Sequence, residues 1–112
     1  MKVLFDTNII LDVLLQRPPY VIAATKLMAA AETSQISGYL GATTVTTIFY
    51  LYAKTSSSRD AKKAVDKLLQ IFSVAPVNQN VLHAALTSDF KDYEDAVLHE
   101  AAVRAGIDCI VT

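Results

Sequence analysis

A chain of 112 residues has room for one domain with a hydrophobic core and too little for two. Hydrophobic residues make up 53% of it, yet no apolar run reaches the roughly 18 residues that span a bilayer. A basic start followed by a long apolar stretch is also missing, so the composition points to a cytoplasmic globular protein. The net charge of −1 excludes a global basic field for nucleic acid.

Charge distribution says more than the sum. Six of the eleven acids lie between Asp89 and Asp108, whereas Arg59, Lys62, Lys63 and Lys67 crowd into one segment. The chain therefore has an acidic end and a basic patch.

In chain order, Val3-Leu4-Phe5 is a short apolar run of the kind that forms a strand buried on both faces, as in the parallel sheet of an α/β domain. Asp6 ends it, at the strand edge where open α/β sheets bind ligands. Asp6 or Asn8 also suits the N-cap of the helix that follows. That helix, predicted from Thr7 to Gln16, is apolar around most of its circumference apart from Asp12 and Gln16, and Pro18-Pro19 should end it. Being apolar on several sides, it packs inside the domain or carries part of a dimer interface.

Helical spacing continues from Tyr20 to about Thr33, and a short strand from Gln35 to Leu40 holds Gly38 and is closed by Gly41. A third helix runs from Ala42 to Lys54, with Val45, Ile48, Phe49 and Tyr52 on one face. Such an aromatic stripe either stacks unpaired bases or forms a core or dimer face. Thr55 to Ser58 reads as a loop whose last serine caps the next helix.

Arg59 to Phe72 carries apolar residues at i, i+3, i+4, i+7, i+8 and i+11 on one side and the basic cluster on the other. That cluster is a solvated face or a phosphate-binding one. Ser73 to Pro76 reads as a strand, and Asn78 as the cap of a helix containing Val81, Ala84 and Ala85. His83 and His99 lack metal-ligand spacing. The last helix begins near Asp92 and stops at Gly106, followed by a strand from Ile107 to Val111. Cys109, within that apolar run, is expected to be a buried thiol.

Asp92 and Asp95 are one helical turn apart, so both face one way at the amide-rich end of their helix. N-capping and the helix dipole account for that pair but not for Asp6. Ionised carboxylates gathered at one sheet edge require a cation, and oxygen-only ligands select hard ions such as Mg²⁺ or Mn²⁺. Such ions polarise phosphate oxygens and acidify bound water, which points to phosphoryl chemistry.

Asp6-Thr7-Asn8 after an apolar strand, Asp92-Tyr93-Glu94-Asp95-Ala96 opening a late helix, and Ile110-Val111-Thr112 on a last strand together resemble the PIN domain family, in its compact, VapC-like bacterial toxin type. The resemblance implies a three-layer α/β/α fold with a central parallel sheet wrapped by helices. It also implies an endoribonuclease dependent on Mg²⁺ or Mn²⁺ that cuts single-stranded or structured RNA, forms a homodimer and is held inactive by a small antitoxin.

On that resemblance Asp6 and Asp95 match the metal-binding acids, and Asp92 a neighbouring acid. Thr7, Asn8 and Thr112 match residues that hold the acids in place, and Arg59, Lys62, Lys63 and Lys67 would grip the RNA backbone. Two departures stand out. The third helix has Thr47 or a near neighbour where the family has a glutamate, so a catalytically silent RNA- or protein-binding module is the alternative. The chain also ends at Thr112 where the family continues, which leads us to expect a domain lacking its last helix and strand. A haloacid-type phosphatase would need an acid at position 8, which is Asn8.

Overall fold

The computed structural model describes residues 1–112. In chain order it comprises β1 (Lys2–Phe5), α1 (Thr7–Leu14), α2 (Val21–Glu32), β2 (Ser37–Gly41), α3 (Ala42–Thr55), α4 (Ser58–Ile71), β3 (Ser73–Ala75), α5 (Gln79–Ala85), α6 (Tyr93–Arg104) and β4 (Cys109–Val111). The four strands form one parallel sheet in the order β3-β2-β1-β4.

Side chains alternate across a strand, so β1 serves two cores at once. Val3 and Phe5 face a cluster with Ile9, Ile10, Ala24 and Phe72, drawn from α1 to α4 and their connections. Leu4 faces the opposite cluster, built from Val81 and Ala85 of α5 with Ala96, Val97 and Ala101 of α6. Leu4 and Phe5 are fully buried. This is the three-layer α/β/α arrangement that the resemblance implies.

Gly38 has a packing reason to lack a side chain. A Cβ there would lie 2.7 Å from the Phe72 ring and 2.9 Å from the Ala31 methyl, because α2 and the Phe72 ring close directly onto β2. Phe72 in turn meets Phe5 edge to face, with ring centroids 4.9 Å apart. Gly106, with a φ of 69°, follows the end of α6 in the left-handed conformation that glycine adopts at low cost.

Several boundaries differ from the sequence reading. Helix α1 ends at Leu14, with Gln16 at a φ of 52°, so the chain turns before the prolines can act. The cap of α4 is Ser57, whose side chain accepts from the Asp60 amide at 3.0 Å, while Ser58 is already helical. Cys109 is exposed rather than buried, because β4 is an edge strand paired only with β1. Of the α3 stripe, Ile48 is buried and Val45, Phe49 and Tyr52 are half-buried, while Tyr50 beside it is exposed, with the Phe49 and Tyr50 rings edge to face at 5.3 Å. No helix is long and apolar enough to cross a membrane.

Candidate active site

From β1 the chain moves to β2 and β3 on one side, then returns to place β4 on the other. Strand order reverses at β1, and a crevice opens at such a switch point beyond the carboxyl ends of the strands. Asp6 stands there. Its amide donates to the Val111 carbonyl at 2.9 Å, extending the β1 ladder by one residue. Its side chain then caps α1, with Oδ1 accepting from the Thr7 amide at 2.7 Å.

Helix α6 brings the late acids to the same edge. Asp92 is its N-cap and accepts from the Glu94 amide at 2.9 Å. Asp95 sits in the first turn with its carboxyl pushed above the ordinary range. Although the residue is exposed, loss of hydration contributes most to this shift, followed by the negative charges of Asp92 and Asp6. The charge of Asp6, from the opposite end of the chain, thus reaches Asp95, and a like charge nearby disfavours its ionisation.

Helix α3 supplies hydroxyls and no acid. Its buried Thr44 sits 3.4 Å from the Thr7 hydroxyl, which donates to it and ties the starts of α1 and α3 together. Thr47 donates to the Thr43 carbonyl at 3.1 Å. Thr44 was not among the residues singled out from sequence. Its neighbours Thr43, Thr46 and Thr47 look alike, and only the packing of α1 selects it.

The remaining candidates are placed less centrally. Asn8 and Thr112 line a cavity of about 650 Å³ together with Asp12 and Arg17, and neither side chain hydrogen-bonds to an acid. Asp12, which the sequence presented as a polar break, is 8% exposed, with Arg17 Nε 3.0 Å from its Oδ1. That ion pair closes the end of α1, where the Arg17 amide also donates to the Asp12 carbonyl at 3.0 Å. Arg59, Lys62, Lys63 and Lys67 are exposed on α4, and none is paired with an acid.

The donors at the crevice are all oxygens, which suits a hard divalent cation. No three acidic, histidine or cysteine side chains converge as a protein cage. Mg²⁺ needs none, since it retains several waters and is held through one or two carboxylates plus substrate phosphate. The charge that Asp95 feels from Asp6 and Asp92 is what such an ion would neutralise, so these residues fit it.

A family model described as PIN domain matches residues 2–112. No curated protein matches in sequence. Among solved structures, Mycobacterium tuberculosis VapC20, a sarcin-ricin loop cleaving toxin, is similar with a TM-score of 0.76 at 15% identity, covering 96% of this chain and 86% of that one. VapBC2 from Rickettsia felis, bound to a DNA fragment from its promoter, gives a TM-score of 0.70 at 11% identity, covering 99% and 86%.

Proposed function

The chain belongs to the PIN domain family, and we propose that it is an endoribonuclease dependent on Mg²⁺ or Mn²⁺ and the toxin of a toxin–antitoxin pair. The observation that carries this reading is the placement of Asp6 at the carboxyl end of β1, where the strand order reverses, together with Asp92 and Asp95 at the start of α6. Similarity in fold to a toxin that cleaves the sarcin-ricin loop supports RNA as the substrate class. Similarity in fold to VapBC2 supports a small antitoxin as partner. The cytoplasm is then its place of action.

In this reading Asp6 and Asp95 would hold the ion, with Asp92 assisting through a water. When bound there, the ion would supply Lewis acidity and acidify a water for attack on the phosphodiester, a reaction whose products would be 5′-phosphate and 3′-hydroxyl ends. The chain contributes orientation. Thr7 fixes the Asp6 carboxylate through its amide, and the Thr7–Thr44 contact joins the start of α1 to the start of α3. The unpaired cations of α4 hold the RNA backbone. The half-covered α3 stripe of Phe49 and Tyr52, with exposed Tyr50 beside it, is the surface for homodimer contact.

A second reading, a silent binding module, is favoured by one observation: α3 presents threonines and no carboxylate. Cleavage of single-stranded RNA in Mn²⁺, in Mg²⁺ and in chelator, with wild type and Asp6→Asn, separates the two. Metal-dependent cutting that disappears in a folded Asp6→Asn protein supports the nuclease. RNA binding without turnover supports the module.

A further inference from the structure

We infer that the opening between α3 and α6 is a pocket for a single nucleobase, matched to guanine, which selects the nucleotide seated beside the acid crevice. This rests on the ribonuclease reading for its context but has its own chemistry. The pocket holds about 250 Å³, below the roughly 300–1,000 Å³ typical of drug-sized sites, so it takes one planar heterocycle and little more. Two of its wall residues neighbour the crevice groups in the chain: Glu94 precedes Asp95 and Thr43 precedes Thr44.

The walls have a defined donor and acceptor pattern. Leu82 and Val97 provide apolar surface, and the Tyr93 ring is held by its hydroxyl, which donates to the Leu82 carbonyl at 2.7 Å. A fixed aromatic ring is a stacking wall for a base. The Thr46 and Thr47 hydroxyls both donate to the Thr43 carbonyl, at 2.9 and 3.1 Å, so their oxygens face outward only as acceptors. The Glu94 carboxylate is acceptor-only when ionised. Thr43 Oγ1 is buried with no hydrogen-bond partner, an orphan that protein interiors rarely keep without a reason.

An acceptor-rich pocket fits one base edge best. Guanine presents two adjacent donors, N1–H and the 2-amino group, which a carboxylate accepts side by side. Adenine and cytosine each offer a single amino donor next to ring acceptors, and uracil offers one ring N–H between two carbonyls. For these three, part of the pocket wall stays unpaired.

Titration of the metal-free full chain with guanosine, inosine, adenosine and cytidine, followed by amide chemical shifts, tests this directly. Guanosine should shift amides at the start of α3 and around Glu94, and bind about ten-fold tighter than inosine, which lacks the 2-amino donor. Glu94→Gln should erase that preference, while Asp6→Asn should keep it. Equal binding of all four nucleosides, or a guanosine preference that survives Glu94→Gln, overturns the assignment. Mapping of cut sites with Mn²⁺ present keeps the two readings apart. Guanosine selectivity without cleavage supports the pocket and removes the nuclease; cleavage whose base pattern is the same in Glu94→Gln removes the pocket and leaves the nuclease.

Discussion

Asp6 has two jobs that one pair of substitutions pulls apart. Its Oδ1 accepts from the Thr7 amide at 2.7 Å and so caps α1, an eight-residue helix whose Ile9, Ile10 and Leu11 are buried. Its charge also acts on Asp95. Asn keeps a carbonyl acceptor of the same reach and caps helices about as well as Asp, whereas Ala removes the cap at a cost of about 1 kcal/mol. Asp6→Ala should therefore melt roughly 4 °C or more below wild type, while Asp6→Asn stays close to it.

Both variants should lose the response to divalent metal. At a Mg²⁺ concentration a hundred times the dissociation constant, wild type gains about 2.7 kcal/mol from mass action, and neither variant should gain more than a small part of that. Thermal melts with and without Mg²⁺ on the three proteins read both effects together. An Asp6→Asn protein as unstable as Asp6→Ala would refute the cap argument, and one with the full Mg²⁺ response would refute the ligand assignment.

Three further outcomes follow from particular contacts. The raised carboxyl of Asp95 means that the folded, metal-free protein holds that proton more tightly than the unfolded chain does. The stability it contributes is complete below the ordinary carboxylate pKa of about 4 and is lost as pH rises through the raised value; urea melts across this range should show that loss in wild type and a flatter profile in Asp95→Asn. Gly38→Ala forces a methyl against Phe72 and Ala31 and should cost about 1–3 kcal/mol in denaturant titrations, with an unchanged midpoint contradicting the close packing. Replacing Lys62 and Lys63 together by Ala should reduce the slope of log binding constant against log salt by roughly 1.4 for single-stranded RNA, and an unchanged slope would take α4 out of the RNA contact.

The parts of the fold legible in the sequence were those in which local chemistry and tertiary position agree. Val3-Leu4-Phe5 is continuous because both faces of β1 are covered. The Asn78 cap is local too, with Oδ1 accepting from the Val81 amide at 3.0 Å. What escaped depends on neighbours. Cys109 sits in an apolar run whichever way β4 is placed, and only the edge position of that strand exposes it. Asp12 becomes buried through Arg17, which arrives after a turn that no periodicity marks.

At the candidate site the acids were visible because Asp6 follows a buried strand and Asp92 and Asp95 share a helical turn. The hydroxyl side of the crevice was not. Four threonines at the start of α3 are equivalent by composition, and their differences come from what meets each one: Thr7 at Thr44, the Thr43 carbonyl at Thr46 and Thr47, and nothing at the Thr43 hydroxyl.

The most direct test of the central claim is cleavage of a mixed single-stranded RNA by the wild type, Asp6→Asn and Asp95→Asn proteins, each shown to be folded, in Mn²⁺, in Mg²⁺ and in chelator. The account predicts cutting by the wild type in either metal, none in chelator and none by either variant. Cutting that persists in chelator, or in folded Asp6→Asn with metal, would contradict it.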